Sequence, residues 1–355
     1  MNDFFKSRVL LEDLDYIVDT FNKKDEMRGS SVLVTGATGL IGVSIIRALL
    51  YMNEKYGTKI QVIALIRNLE KAKTIYGNLL DRSDISIIVS DVTNQFDLSN
   101  KIDYIIHCAS VTASKTMIER PVETIFTSID GTKNLLNLAV KKKIKSFVYL
   151  SSMEMYGSFD NGAEDITEEK LGYIDPLKVR SNYPESKRLC ENMCVSYNSE
   201  YGVPVKIARL AQTFGAGILP GENRVFAQFA RSVIGKKDII LHTLGQSEGN
   251  YCYTSDAILG LIEILISGEN REAYNIVNPA THTNIADMAK MVCEKIADGS
   301  INVIFDIPEV NQYGYAADTK LKLNSDKLQS LGWKPRIDLE TAYRRLIEYI
   351  KETEC

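Results

Sequence analysis

Tyr183 and Lys187 stand four residues apart in the run Tyr183-Pro184-Glu185-Ser186-Lys187. On a helix that spacing puts both side chains on one face. Asn182 is placed to cap such a helix, Pro184 fits its first turn, and Glu185 completes a capping-box spacing. A free phenol ionises near ~10. An ammonium beside it favours the phenolate and lowers that value. Tyr183 is therefore suited to act as acid/base on a substrate hydroxyl during hydride transfer. An ordinary helix pair shows the same spacing, so the pair gains meaning only from its surroundings. One such surrounding is Leu150-Ser151-Ser152-Met153-Glu154-Met155-Tyr156-Gly157, which closes an apolar, strand-like run. A hydroxyl there can hydrogen-bond the same substrate oxygen as Tyr183, and Ser152 is the candidate.

The second surrounding is Thr35-Gly36-Ala37-Thr38-Gly39-Leu40-Ile41-Gly42. It follows the apolar run Val32-Leu33-Val34 and precedes a helical run from Val43 to Leu50, so it marks a strand turning into a helix. Gly36 permits the tight turn, Gly39 lets the backbone approach a pyrophosphate, and Gly42 lets the helix pack closely on the sheet. The N–H groups at the helix start then face the phosphates. A bare glycine triplet is weak evidence, and a plain structural turn is the alternative. The flanking strand and helix favour dinucleotide binding.

These residues need a scaffold, and the chain supplies the signature of one. Candidate strands are Ser31–Thr35, Ile60–Ile66, Ile85–Val89, Tyr104–His107, Phe147–Ser151 and Val205–Leu210, with helical runs between them. Apolar strands alternating with helices predict an α/β fold, a doubly wound parallel sheet of the Rossmann type covered on both faces. Ligands in such sheets bind beyond the carboxyl ends of the strands, where all the motifs above fall. Residues 30–212 form this dinucleotide-binding unit. After about 212 the pattern loosens. Helical runs lie near 224–235, 255–267, 284–297 and 339–351, and Ile301–Ile307 reads as a strand. Residues 213–355 are read as a smaller, interleaved substrate-binding lid, with segments near 250–280 returning to the sheet. Residues 1–29 are an appendage. Leu10, Leu14, Ile17, Val18 and Phe21 recur at helical spacing, so an amphipathic helix is expected there, docked on the main body or on a second subunit. No residue in it suggests chemistry.

Composition narrows the function. The chain has 355 residues and a net charge of −4, and its one lysine run, Lys141-Lys142-Lys143, is short enough to be a solvated helix end. Nucleic acid is not the expected partner. No apolar run approaches the roughly 20 residues of a membrane span. Asp3, Glu12, Asp13 and Asp15 are wrong for a signal peptide. There are six cysteines, no Cys-x-x-Cys pair and three histidines, so no metal site is expected. Cys190 and Cys194 share a helix face. Free thiols in a chain of this size point to the cytoplasm.

Taken together, the motifs resemble the extended short-chain dehydrogenase/reductases, specifically the nucleotide-sugar epimerase, dehydratase and decarboxylase group. The resemblance covers about residues 30–350. Its markers are the three glycines, Asp91-Val92, His107-Cys108-Ala109-Ser110, Gly131-Thr132-x-Asn134-Leu135-Leu136, Ser152, the Tyr183/Lys187 pair and Tyr253-Thr254-Ser255-Asp256. It implies that Tyr183 takes a proton from a sugar hydroxyl, at C4, while hydride leaves for nicotinamide. It implies that Lys187 holds the ribose and lowers the tyrosine pKa, that Ser152 holds the substrate oxygen, and that Asp91 and Val92 flank adenine. Cys108, Ala109 and Ser110 would line the cofactor. The keto-sugar is then epimerised, dehydrated or decarboxylated. A nucleotide-diphosphate sugar is the expected partner. By the same resemblance a homodimer is expected, formed through helices near 128–142 and 184–200.

Several positions depart from the pattern. Arg67 stands at the end of the second strand, where many relatives have an acid that holds the ribose diol. An arginine can instead pair with a 2′-phosphate, which favours NADP over NAD. Stacking on adenine, compatible with either cofactor, is the alternative. Glu154, two residues after Ser152, matches the glutamate of dehydratases and decarboxylases and could remove a C5 proton acidified by a C4 ketone. A surface carboxylate is its alternative reading. Met153 stands where many dehydratases have an aspartate, so no acid is evident for a departing 6-hydroxyl. The chain around 180–225 looks closest to the UDP-glucuronate decarboxylases, through Arg180-Ser181-Asn182-Tyr183, Arg209, Thr213-Phe214-Gly215 and Asn223-Arg224-Val225. Gln212 replaces a common Asn, and Gly249 replaces a common Arg, which argues against decarboxylation. Arg224 is the candidate to compensate on the diphosphate. His242 stands where a base-stacking aromatic is usual, or is a loop histidine. Epimerase or dehydratase chemistry therefore leads, ahead of decarboxylase and keto-sugar reductase. A non-catalytic dinucleotide sensor on the same fold is the rival class. The retained Ser152, Tyr183 and Lys187 argue against it, because a sensor needs no proton relay.

Overall fold

The computed structural model describes residues 7–95, 98–159, 163–308 and 319–354. Asp3, weighed above as part of the N-terminus, lies outside them. Seven strands form the central sheet: β1 (Ser31–Thr35), β2 (Gln61–Ile66), β3 (Ile85–Val89), β4 (Tyr104–His107), β5 (Ser146–Ser152), β7 (Val205–Leu210) and β11 (Ala273–Ile276). Their order is β11-β7-β5-β4-β1-β2-β3, and every neighbouring pair is parallel. The chain builds outward from β1 to β3, then crosses to β4 on the other side of β1. That reversal opens a crevice beyond the carboxyl ends of β1 and β4. Six of these strands are the ones expected from sequence. The seventh, β11, is a four-residue strand not singled out from sequence, within the stretch near 250–280 read as returning to the sheet.

Helices cover both faces. They are α1 (Arg8–Thr20), α2 (Leu40–Tyr56), α3 (Leu69–Tyr76), α4 (Ser114–Glu119), α5 (Pro121–Lys142), α6 (Asn182–Tyr201), α7 (Val225–Gly235), α8 (Thr254–Ser267), α9 (Ile285–Met291), α10 (Asp326–Gln329) and α11 (Leu339–Glu354). Smaller sheets complete the molecule. β8 (Gln212–Phe214) and β12 (Asn278–Asn284) flank β10 (Glu248–Tyr253), while β9 (Ile239–Leu241) pairs with β13 (Val303–Phe305) and β6 (Ala163–Ile166) with β14 (Leu321–Leu323). The two sheet faces pack separate apolar cores. One holds α2, α8, α11 and the N-terminal helix, and the other lies under α5 and α6.

The N-terminal helix docks on the main body. Val9, Leu10, Leu14, Ile17, Val18 and Phe21 are buried, and the helix lies against α2, α8 and α11. Ser7 caps it, its Oγ accepting from the Leu10 amide at 3.0 Å. On its outer side Asp15 accepts from the Tyr51 hydroxyl and pairs with Lys55. Among the described residues no helix is long and apolar enough to cross a membrane.

Candidate active site

The cradle at the end of β1 is built by glycine. Gly36 has φ +63°, and a Cβ there would lie 2.8 Å from the Cys108 carbonyl carbon and the Ala109 amide. A Cβ on Gly42 would lie 2.4 Å from the Gly36 carbonyl oxygen. Only bare backbone lets the β1 turn, the β4 end and the first turn of α2 meet at these distances. Helix α2 starts at Gly39 with no side chain capping it, so its first amides are free for an anion. Thr38, Leu40 and Ile41 are half-buried around this start. His107 fixes the floor. It is buried between the Thr35 hydroxyl, 2.8 Å from Nδ1, and the Thr132 hydroxyl, 3.2 Å from Nε2. Burial, with Lys187 nearby, pushes it down to about 3, so the ring is neutral. Thr35 Oγ1 in turn accepts from the Ala109 amide at 3.1 Å. The Ser110 hydroxyl is buried beside this turn without a hydrogen-bond partner among the described residues. Uncapped amides and that hydroxyl around a glycine-lined turn fit a dinucleotide.

The adenine-side residues lie at the ends of β2 and β3. Arg67 is exposed, its Nη1 3.8 Å from Asp91 Oδ2. Asp91 closes its own turn by accepting from the Thr93 amide at 2.9 Å and hydroxyl at 2.8 Å. Val92 is buried, and its carbonyl accepts from Asn134 at 3.0 Å. That bond explains why Asn134 matters among the sequence markers: it ties α5 to the turn after β3.

The catalytic candidates converge at the end of β5. Tyr183 is 7% exposed and Lys187 3%. Lys187 Nζ donates to the Leu150 carbonyl at 2.7 Å and lies 5.5 Å from the centre of the Tyr183 ring. Ser152 Oγ accepts from the Glu154 amide at 3.2 Å and lies near enough to Tyr183 to draw its phenol down. Arg180, absent from the residues singled out as the site, straddles the group. Its Nη2 donates to both Glu154 carboxylate oxygens, at 3.1 and 2.8 Å, and its guanidinium lies 5.8 Å from the Tyr183 ring centre.

Two expectations need correction. Asn182 does not cap α6. It is already helical, with φ −51° and ψ −40°, because a preceding helical turn over Val179–Ser181 runs into α6. Its amide instead donates to the Met117 carbonyl at 2.6 Å, anchoring α4. Nor is the Tyr183 phenol lowered in the chain by itself. Burial pushes it up to about 12, the Glu154 charge adds to this, and Ser152, Arg180 and Arg224 pull it back only in part. Lys187 is itself pushed down to about 8 by burial, and its ammonium is turned to a carbonyl.

The remaining candidates lie on separate elements. Met153 is buried and faces Gly249, where a Cβ would lie 3.6 Å from Met153 Cε. Gln212 is exposed on β8 and Val225 begins α7. Arg224 pairs with Glu222 at 2.7 Å and lies 4.9 Å from the Phe226 ring centre. His242 follows β9, its Nδ1 2.9 Å from the Asp306 carbonyl oxygen.

Comparison with known proteins bears on the family and the fold. The family model described as the NAD dependent epimerase/dehydratase family matches residues 32–277. A UDP-glucuronic acid decarboxylase 6 of Arabidopsis thaliana is 29% identical over 90% of this chain and 88% of its own. A dTDP-D-glucose 4,6-dehydratase of Mus musculus is 25% identical over the same shares, 90% and 88%. Among solved structures, a UDP-glucuronic acid 4-epimerase from Bacillus cereus, in complex with UDP-glucuronic acid and NAD, superposes with a TM-score of 0.74 at 23% identity, covering 91% of this chain and 99% of that one. Its likeness bears on the fold. Glycine cradle, neutral His107 floor and the Ser152/Tyr183/Lys187 cluster thus occur on a chain whose matched stretch spans most of its length: the protein belongs to the NAD dependent epimerase/dehydratase family.

Proposed function

We propose that the protein oxidises a hydroxyl of a nucleotide-diphosphate sugar, at C4, and rearranges the resulting ketone as an epimerase/dehydratase. The observation that carries this reading is the meeting of Tyr183, Ser152 and Lys187, with Glu154 beside them and Lys187 near enough to act on His107 and Cys108 under the glycine cradle. When bound, a nicotinamide dinucleotide supplies the hydride acceptor and, in its oxidised form, a cationic ring. Gly36, Gly39, Gly42 and Ser110 would hold it. Ser152 positions the sugar oxygen and Tyr183 takes its proton. Glu154, held by two hydrogen bonds from Arg180, takes the C5 proton once the C4 ketone has acidified it, and then either returns a proton to C5 or leaves the C5–C6 double bond to form as the 6-hydroxyl departs as water with a proton from solvent.

Turnover of UDP- and dTDP-hexoses in deuterium oxide tests the reading. Product carrying deuterium at C5 is expected, and Glu154→Gln is expected to remove that label. Rearranged product with no deuterium would assign a plain 4-epimerase and leave Glu154 idle. Decarboxylation is the second reading, favoured by the identity to the Arabidopsis protein. Gly249 against Met153 weighs on the other side, since neither presents a cation to a sugar acid. Loss of carbon dioxide from UDP-glucuronic acid would decide for it.

NADP is the proposed cofactor. Arg67, exposed at the end of β2, offers a cation where a ribose-binding acid is usual. Calorimetry is expected to show NADP+ binding more tightly than NAD+, and Arg67→Ala to cost NADP+ about tenfold, the scale of one charge-assisted contact. Equal affinities in the wild type would assign Arg67 to adenine stacking. A homodimer through α5 and α6 is also proposed. Val122 and Phe126 on α5 and Leu189 on α6 are 63%, 54% and 45% exposed, an apolar face on two packed helices.

A further inference from the structure

The N-terminal helix lies outside the stretch matched by the family model, and its sequence suggests no chemistry. Yet Asp13, on its buried face, reaches to the far end of the chain. Its Oδ2 accepts from the Tyr253 hydroxyl at 2.8 Å, and its Oδ1 accepts from Arg345 Nη2 at 2.8 Å. Arg345 also donates to Glu12 at 2.9 Å and to the Val9 carbonyl at 3.1 Å. A helix that served only to cover apolar surface would not carry a carboxylate here. Burial pushes Asp13 up to about 6 despite Arg345, so keeping it charged is costly.

That cost has a visible consequence at Tyr253. The Tyr253 ring is 1% exposed, and its oxygen also accepts from the Ala216 amide at 3.3 Å. Ala216 opens the segment 215–224 that follows β8. On one side this segment lies on the first turn of α2: a Cβ on Gly217 would sit 3.5 Å from Ser44 Oγ and 3.8 Å from Leu40 Cδ1. At its far end Arg224 comes near enough for its charge to act on Tyr183. The segment therefore spans the gap between the dinucleotide cradle and the catalytic tyrosine.

We propose that Asp13 is a positioning residue which, through Tyr253 and the Ala216 amide, fixes segment 215–224 between the cradle and Tyr183, so that the N-terminal extension is part of the catalytic unit. The kinetic part of its test rests on the function proposed above, and the structural part does not. Hydrogen exchange of the full chain is measured for Asp13→Ala, Tyr253→Phe, Asp13→Asn and, as a control on the same helix, Arg8→Ala. Among the described residues Arg8 pairs with Glu12 and Glu348, on the exposed side. Asp13→Ala and Tyr253→Phe are expected to speed exchange at 215–219 about tenfold, the scale of one hydrogen bond to a charged group. Asp13→Asn keeps an acceptor for Tyr253 and is expected to restore part of the protection, and Arg8→Ala to leave it intact. With a nucleotide sugar that turns over, the first two variants are expected to raise KM by a similar factor, with kcat changed far less. Unchanged exchange at 215–219 in both, or equal loss in Arg8→Ala, would overturn the proposal. A chain that turns over no nucleotide sugar but shows the exchange pattern would sink the proposed function and leave this inference standing.

Discussion

Burial acts on Tyr183 and Lys187 in opposite senses, and the pair carries its chemistry in that tension. With Tyr183 pushed up to about 12, the phenol keeps its proton at neutral pH in the chain by itself. A cationic ring placed over the cradle would draw it down. Ultraviolet titration is therefore expected to show a phenolate absent from Tyr183→Phe that appears at lower pH when NADP+ is added. A titration unmoved by the cofactor would contradict this. Lys187, lowered from 10.5 to about 8, gives a stability effect of definite sign. Between those values the unfolded chain binds the extra proton, so stability rises with pH across that window, by up to about 3 kcal/mol. Lys187→Met is expected to lack this rise in paired denaturation curves. At this scale the residue types were legible from their spacing alone. Their titration was not, because spacing carries no information on burial. Arg180 was legible only as part of a run, since its role depends on Glu154, 26 residues away.

A buried ion pair ties α6 to the sheet. Arg209 on β7 meets Glu191 on α6 at 2.7 Å, with the side chains 8% and 9% exposed, and Arg209 also donates to the Tyr156 hydroxyl at 3.0 Å. Removing one partner leaves the other buried and uncompensated. Glu191→Gln is expected to cost about 3–5 kcal/mol in urea unfolding, and the double replacement Arg209→Met with Glu191→Met to recover much of it. A single variant as stable as wild type would show the pair to be dispensable. Elements of strong period were readable in advance: six sheet strands, the helices near 224–235, 255–267, 284–297 and 339–351, and the N-terminal helix. Strand β11 was not, because Ala273-Tyr274-Asn275-Ile276 is short and carries an asparagine at a fully buried place. There Asn275 serves the interior, taking the Tyr156 hydroxyl at 2.7 Å. The start of α6 was misjudged for a related reason. Asn182 looks like a cap in sequence, but the chain is already helical when it arrives and tertiary contact with Met117 claims the side chain.

At the scale of the whole molecule, contacts between distant segments decide what periodicity cannot. Tyr253 and Asp13 are 240 positions apart, and nothing local announces their bond. The apolar face of α5 and α6 is the largest expectation left for the assembled protein. Sedimentation is expected to give a dimer, and Phe126→Glu to give monomer; a monomeric wild type would assign that face elsewhere. The cradle is expected to hold a nicotinamide dinucleotide that is retained through turnover. Mass spectrometry of the small molecules released on denaturing freshly purified protein tests it most directly. Close to one NADP+ or NAD+ per chain is the expected result. A protein that releases neither, and binds neither when they are added at millimolar concentration, would contradict it.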